Sequence, residues 1–148
     1  MPPQYRLACE SDIPLLVTMM AEFYGPDDPD FIAVKTQQAI ADFIACEQYG
    51  RLWLIEVETV AVGYLAVTFG FSLEYHGRDA IVDEIYLRAP YRGQGIGTQS
   101  FRFLESVCRD LGIKALHLEV MDDNPKAAAL YRQLGYEARP SRFLHKWL

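Results

Sequence analysis

The residues between positions 92 and 98 have the spacing of an anion-binding loop. Between a predicted strand and a predicted helix they read Arg92-Gly93-Gln94-Gly95-Ile96-Gly97-Thr98. Glycine at alternate positions lets backbone N–H groups converge on one point without interference from Cβ atoms. The N-terminus of the following helix adds a partial positive charge of about half an electron. Together these features predict a cradle for a pyrophosphate group, with Arg92 at its mouth.

Two other phosphate-binding motifs do not fit this loop. A P-loop ends in glycine, lysine and serine or threonine, whereas Gly97 is followed directly by Thr98. The dinucleotide-binding fingerprint requires a third glycine where this chain has Ser100. A merely flexible turn is a weaker interpretation, because three spaced glycines cost stability unless their backbone is used.

Adjacent carboxylates in the preceding strand are the second chemical feature. Asp83 and Glu84 interrupt the apolar run from Ile81 to Leu87, and neighbours in a strand point to opposite faces. One is a candidate general base whose pKa is raised by desolvation, and the other is a candidate anchor for substrate. The alternative is that each carboxylate is exposed at an edge or held in a structural ion pair.

The histidines offer little chemistry by comparison. His117 shares a strand face with Glu119, and such a histidine is more often a hydrogen-bonded surface or core residue than a catalyst. His76 and His145 have no acidic or cysteine partner at the spacing of metal ligands. We therefore expect no metal site.

The elements that must position these residues follow from the spacing of apolar side chains. Alternation and helical periodicity predict the order β-α-α-β-β-β-α-β-α-β. Glu58-Thr59 is the turn of a hairpin, residues 116–120 form a later strand, Asn124-Pro125 opens the last helix, and residues 142–147 form a closing strand. This order predicts an α/β fold whose sheet is antiparallel at first and mixed later, in one domain over residues 1–148.

Charge is distributed unevenly along the chain. The net charge of −6 argues against general binding to nucleic acid or to an anionic membrane. Residues 1–86 hold four basic and fourteen acidic side chains, whereas residues 87–148 hold ten basic and six acidic ones. This asymmetry fits two unlike sites, one for a cation and one for an anion; the alternative is scattered, solvated charge.

Composition places the chain among ordinary globular proteins. Apolar residues make up 51% and charged residues 23%, which excludes a disordered chain, a collagen-like fibre and a disulfide scaffold. No run approaches the roughly 20 apolar residues of a membrane helix, and the first residues lack the layout of a signal peptide. We expect a cytoplasmic protein with three buried free thiols, at Cys9, Cys46 and Cys108.

These motifs together resemble the GNAT superfamily of acetyl-CoA-dependent N-acetyltransferases. The stretch from Arg92 to Gly97 matches the Gln/Arg-x-x-Gly-x-Gly/Ala signature of that family. The preceding strand, the Asn124 to Tyr131 segment and Leu134-Gly135-Tyr136 also lie where the family has their counterparts. The likeness extends over nearly the whole chain and is specific for fold and cofactor, but weak for the substrate.

The resemblance implies a site for acetyl-CoA. The pyrophosphate would bind the N–H groups of residues 93–98, and the pantetheine arm would pair with the backbone of residues 85–87, where the two central parallel strands splay apart. Asn124 would hold the pantetheine or its loop, or serve only as a helix cap. The candidate cofactor-binding residues are Ile85, Tyr86, Leu87, Arg92, Gly93, Gln94, Gly95, Ile96, Gly97, Thr98, Asn124 and Tyr131.

Catalytic roles also follow from the resemblance. Tyr131 takes the position of the general acid that protonates the thiolate of coenzyme A, a task that suits a phenol pKa of about 10; the alternative is a ring in the core. Polyamine-type members carry a similar acid pair in the order Glu-Asp, whereas this chain has Asp83-Glu84, so base and anchor stay unassigned. Glu119 is a more distant candidate that would act through water.

The sequence therefore predicts an N-acetyltransferase that moves the acetyl group of acetyl-CoA to a primary amine by direct attack. The backbone N–H of Leu87 is the candidate donor to the oxyanion. We expect a small cationic amine or a basic peptide end as the acceptor, and neither nucleic acid nor a membrane; a homodimer is compatible with this prediction. The alternative is a non-catalytic acyl-CoA-binding or regulatory module on the same fold.

Overall fold

A computed structural model describes all 148 residues and shows a five-stranded sheet in the order β1-β2-β3-β4-β5. The strands are β1 (Gln4–Leu7), β2 (Gly50–Val57), β3 (Val60–Ser72), β4 (Gly77–Leu87) and β5 (Ala115–His117). The helices are α1 (Ile13–Tyr24), α2 (Ala33–Ile44), α3 (Ile96–Asp110) and α4 (Pro125–Gln133). Strands β1 to β4 are antiparallel and β5 is parallel to β4, which confirms the predicted mixed α/β sheet.

Each face of the sheet is covered by an apolar cluster. On one face, Leu16 and Met19 of α1 pack with Leu54 of β2, and all three are fully buried. On the other face, Phe101 and Leu104 of α3 pack against sheet residues such as Trp53, Val67 and Val82. The sheet is thus the middle layer between α1–α2 and α3–α4.

A β-bulge at Asp83 changes which face of the sheet the side chains of β4 point to. Glu84 and Val82 pair with the adjacent β3 residues Ala66 and Val67, which leaves Asp83 as the extra residue of a β-bulge. Residues two apart normally share a face. Here Val82 packs in the α3-side cluster while Glu84 points to the α1 side. The bulge therefore turns Glu84 away from the α3 core and towards α1.

The two parallel strands separate soon after they meet. Pairing joins residues 79–81 of β4 to residues 115–117 of β5 and then stops. Beyond Ile81, β4 continues to Leu87 with no neighbouring strand on the β5 side, which agrees with the predicted splay of the two parallel strands. The predicted strand over residues 116–120 is wrong in its extent, because the chain diverges from β4 after His117 and the ladder between the two strands ends there.

The predicted closing strand over residues 142–147 is wrong. No strand forms there, and Phe143, Leu144 and Trp147 are 79%, 89% and 90% exposed. Strand-favouring side chains stabilise a strand only against a neighbouring edge. The strand at this edge of the sheet is β5, which is only three residues long, and residues 142–147 do not pair with it. Arg139 instead donates hydrogen bonds to Glu74 and Tyr75 of the β3–β4 turn.

The prediction of three buried thiols is wrong for Cys9. Cys108 is buried in α3 and Cys46 is partly buried, but Cys9 is exposed in the connection that follows β1. Its Sγ contacts Ser11 Oγ at 3.1 Å and Asp12 Oδ2 at 3.3 Å instead of an apolar core. All three cysteines are free.

None of the helices combines the length and the hydropathy that crossing a membrane would require.

Candidate active site

A cleft of about 750 Å³ opens where β4 runs on without a neighbour. Its walls come from the C-terminal ends of α1 and β4, the glycine loop and the start of α4. Six of the predicted cofactor-binding residues line it together: Ile85, Tyr86, Leu87, Arg92, Gly93 and Asn124. The structure thus brings the loop motif and the end of the strand to one place, although residues 86 and 124 are far apart in the chain.

The glycine loop presents six consecutive backbone N–H groups that have no partner in the protein. Those of residues 93–98 donate to no backbone carbonyl, and the first α-helical bond of α3 runs from Gln99 N–H to Gly95 O at 3.0 Å. Gly93 and Gly95 have φ of +73° and +81°, in the left-handed region that favours glycine. Free N–H groups at a helix N-terminus form a site for an anion such as pyrophosphate.

Side chains of the loop hold its backbone in place. Arg92 Nε donates to Leu87 O at 2.8 Å, and its guanidinium lies 5.7 Å from the centre of the Tyr86 ring. Gln94 Nε2 donates to Pro90 O at 2.9 Å. Arg92, expected at the mouth of the cradle, therefore also ties the loop to the end of β4.

The last residues of β4 offer backbone groups to the cleft. Arg88 N–H donates to Val62 O of β3 at 2.9 Å. Because backbone groups of a strand alternate in direction, those of Ile85 and Leu87 point to the opposite edge, where no strand follows. An extended amide-containing ligand fits this edge as an added strand would.

Glu84 is partly buried and held by two phenols. Tyr64 donates to its Oε1 at 2.8 Å and Tyr24 donates to its Oε2 at 3.0 Å. Desolvation raises the pKa of the carboxyl, although the two hydrogen bonds lower it in part. No Lys or Arg forms an ion pair with Glu84, so the ion-pair interpretation is wrong here.

Asp83 also lacks a basic partner. Asp83 is exposed at the bulge, in agreement with the alternative interpretation of an exposed carboxylate at an edge. The protein around its carboxyl still desolvates it and raises its pKa, and the charge of Glu119 adds to this effect. Two neighbouring carboxyl groups thus have a raised pKa, and neither has a counter-ion.

Tyr131 does not line the cleft, but it lies on α4, whose first residues do. Its ring packs edge-on against Phe101 and Tyr136 with centroids 5.4 and 6.2 Å away, and burial alone raises its pKa. Asn124 caps α4, since its Oδ1 accepts from Ala127 N–H at 3.2 Å, and it borders the cleft at the same time. The structure therefore shows the packing role of Tyr131 and the capping role of Asn124.

Sequence reasoning missed the contacts that α1 makes with β4. Besides the Tyr24–Glu84 bond, Glu22 accepts from the Tyr86 hydroxyl at 2.9 Å and from Arg88 Nη2 at 2.9 Å. Hydrogen bonds from Arg88 lower the pKa of Glu22. The only signal in the sequence was the run of polar and aromatic residues that ends α1.

His117 has the structural role that the sequence favoured. Its Nε2 lies 3.1 Å from Asp79 Oδ2, and its ring contacts that of Tyr75. No group of three or more His, Cys, Asp and Glu side chains lies close enough to hold a metal ion.

The fold and the loop define a class of protein. A sheet with a splayed parallel pair, and an N–H cradle of Gln/Arg-x-x-Gly-x-Gly/Ala spacing at the splay, is the arrangement predicted for a GNAT acetyltransferase. The chain belongs to the acetyltransferase (GNAT) family, whose model matches residues 17–136.

Individual relatives extend this assignment. The chain is 39% identical over 74 residues to the thialysine N-epsilon-acetyltransferase of Bos taurus, a match of 50% of this chain and 43% of that protein. The match spans less than half the length of this relative and of the thialysine N-epsilon-acetyltransferases of Sus scrofa and Mus musculus.

Two solved structures share its fold. The integron cassette protein HFX_CASS3 from the mobile metagenome of Cole Harbour Salt Marsh has a TM-score of 0.85 and 32% identity, covering 98% of this chain and 90% of that one. A predicted acetyltransferase from Clostridium acetobutylicum, solved with acetyl-CoA, has a TM-score of 0.79 at 18% identity, covering 97% and 96%.

Proposed function

We propose that the protein transfers the acetyl group of acetyl-CoA to the primary amine of a small cationic acceptor or a basic peptide end. The observation that carries the proposal is the row of six unpartnered N–H groups in residues 93–98, next to the open edge of β4. An anion cradle beside a free strand edge fits a ligand with a pyrophosphate and an amide-containing arm. Acetyl-CoA has both, and it supplies an activated acyl group as a thioester.

In this proposal, the cofactor side is formed by backbone rather than by side chains. The N–H groups of the loop bind the pyrophosphate, and the free edge at Ile85 and Leu87 pairs with the pantetheine amides. Lys126 and Asn124 border the same cleft on its α4 side. The Leu87 N–H then donates to the thioester oxygen as negative charge develops on it.

The acceptor side is formed by carboxylates. The amine arrives as an ammonium ion and must lose a proton before its lone pair attacks the acyl carbon. Glu84 or Asp83, with a raised pKa, takes that proton. As the carbon–sulfur bond breaks, the departing sulfur takes the electron pair, and the Tyr131 hydroxyl supplies the proton that converts the thiolate to a thiol. The attacking nitrogen loses its second proton to complete the amide, and that proton restores the Tyr131 hydroxyl.

The charge of the site supports a cationic acceptor. Glu84 and Asp83 have no basic partner, so an ammonium group would provide the missing counter-ion. The relative from Bos taurus is named for acetylation of an amine, thialysine. An acceptor whose carboxylate lies next to the reacting amine, as in glutamate, would meet like charge at the same place.

A panel of acceptors tests the proposal. Thialysine, spermidine, a lysine-rich peptide and glutamate are each incubated with acetyl-CoA, and the release of free thiol is followed. We expect kcat/KM for the cationic amines to exceed that for glutamate by at least about tenfold, the equivalent of one lost ion-pair contact.

Two results would count against the proposed function. A preference for glutamate would contradict the charge argument. Binding of acetyl-CoA without thiol release for any amine would favour the alternative, a non-catalytic acyl-CoA-binding module on the same fold.

A further inference from the structure

Two phenols of very different exposure hold the carboxyl group of Glu84. Tyr64 of β3 donates to Oε1, and its side chain is fully buried. Tyr24, the last residue of α1, donates to Oε2 and is 40% exposed. One carboxylate oxygen is therefore fixed from the core, while the other is covered from the solvent side.

The surroundings of Glu84 lack positive charge. The groups that face it are Tyr64 from β3, Tyr24 from α1 and Asp83 from β4 itself, with Asp28 of the α1–α2 connection close to Tyr24. Burial and these negative charges raise the pKa of Tyr24 to about 12, so it is a neutral donor at neutral pH. A neutral hydroxyl thus occupies an oxygen that would bind a cation more strongly.

Tyr24 lies where it can leave Glu84 while the helix stays intact. Gly25 follows it with φ of +98° and ends α1, so no helical turn continues beyond the ring. The Tyr24 ring contacts Phe23 and Phe31 with centroids 5.5 and 5.7 Å away. Phe23 is itself 45% exposed, so this aromatic group borders solvent next to the carboxylate.

We propose that Tyr24 is a displaceable positioning residue for the acceptor amine. In the free protein its hydroxyl holds Oε2 of Glu84; the ammonium group of the incoming amine replaces that hydroxyl, while Tyr64 keeps Oε1 fixed. The alkyl stem of the amine lies against the rings of Phe23 and Phe31, whose faces also attract positive charge. This role rests on the proposed acetyl transfer and selects cationic amines with an apolar stem.

Two hydroxyl deletions test the role. Tyr24→Phe removes the competitor of the ammonium group, so we expect KM for the amine to fall about threefold. Tyr64→Phe removes a donor that the amine does not replace, so KM rises at least about fivefold. Both are measured at about pH 8.5 and at saturating acetyl-CoA, with whichever of thialysine, spermidine and the lysine-rich peptide the wild type acetylates.

A second readout separates positioning from packing. The Tyr24 hydrogen bond lowers the pKa of Glu84, so its loss moves the acid limb of the kcat/KM profile to higher pH. Carbon-13 NMR titration of the Glu84 carboxyl in the unliganded protein measures the same shift without any turnover. Thermal unfolding shows whether each variant is folded.

The outcomes distinguish this inference from the function on which it rests. If the wild type acetylates an amine, but Tyr24→Phe raises KM as Tyr64→Phe does, or leaves the Glu84 titration unchanged, the displaceable role is overturned. If the wild type releases no thiol with any amine, the proposed function fails, and the acceptor role of Tyr24 fails with it. That result is visible before any variant is made.

Discussion

Glu84 combines partial burial, two phenol donors and the absence of any basic neighbour. Desolvation favours the protonated form of its carboxyl, and the same holds for Asp83 beside it. A carboxylate of raised pKa is a better proton acceptor from an ammonium group than an ordinary surface acid. At the scale of single residues, this environment is what equips the acid pair for the proposed chemistry.

The double variant Asp83→Asn, Glu84→Gln keeps shape and removes both charges. We expect kcat/KM for the amine to fall at least about 10²-fold at neutral pH and to recover partly at high pH, where free amine is plentiful. The pH profile of kcat/KM measures both effects.

Stability provides the control for the double variant. Both carboxyls have a raised pKa in the folded protein, so their contribution to stability falls as pH rises from the ordinary acid range through the folded-state pKa. The amide variant therefore unfolds at no lower temperature than the wild type at pH 7. Lost activity with no recovery at high pH would make the pair structural.

Tyr131 and Tyr136 form a matched pair for testing acid catalysis. Tyr131→Phe should lower kcat about 10²-fold and leave acetyl-CoA affinity intact, because it removes only a proton donor. Tyr136 packs against the Tyr131 ring, but its hydroxyl is buried without a hydrogen-bond partner. Tyr136→Phe should keep kcat and raise the free energy of unfolding by about 1 kcal/mol.

Steady-state kinetics and denaturant unfolding check both tyrosine variants. Wild-type turnover in Tyr131→Phe, with chemistry shown to be rate-limiting, would reassign the ring to packing alone. A loss of turnover in Tyr136→Phe equal to that of Tyr131→Phe would show that the aromatic group acts through packing rather than through one hydroxyl.

At the scale of elements, the join between β4 and α3 forms the cradle. Gly95 and Gly112 are matched glycines: their φ values are +81° and +76°, and a Cβ at either would meet no protein atom within 4 Å. Valine causes similar backbone strain at each position. Gly95→Val should weaken coenzyme A binding more than about tenfold, whereas Gly112→Val, at the far end of α3, should leave it unchanged.

Calorimetry with coenzyme A measures the two affinities, and thermal unfolding confirms that the strain is comparable. Equal affinities in Gly95→Val and in the wild type would contradict a backbone phosphate site.

The elements also show what a sequence can and cannot specify. The glycine loop was readable because its spacing is local, and the α/β order followed from short periodic runs. The bulge at Asp83 could not be predicted from the sequence, because it depends on the register between β4 and β3. The contacts of Tyr24 and Tyr64 with Glu84 join residues 60 and 20 positions apart, and no local pattern encodes them.

The edge of the sheet accounts for the two wrong strand predictions. Residues 142–147 have the composition of a strand, but a strand needs a neighbour, and β5 is too short to offer one. Residues 118–120 form no ladder because the chain diverges from β4 after His117. Both errors concern the side of the sheet where β4 and β5 part, which is the side that leaves room for the cleft.

At the scale of the whole molecule, the two unlike halves of the sequence meet at one cleft. The acidic first part contributes Glu22 and the nearby Glu84, and the basic second part contributes Arg92 and Lys126. A cationic acceptor and an anionic cofactor would thus approach the end of β4 from opposite sides. In this proposal, the cation site and the anion site that the charge distribution predicted are the two sides of a single cleft.

A crystal structure of the protein with acetyl-CoA tests this account most directly. We expect the pyrophosphate oxygens at about 2.7–3.2 Å from the N–H groups of residues 93–98 and the pantetheine amides on the backbone of Ile85 and Leu87. The thioester should then lie between the Tyr131 hydroxyl and the carboxyl group of Glu84. Acetyl-CoA bound elsewhere, or a cleft that stays empty at saturating acetyl-CoA, would contradict the account.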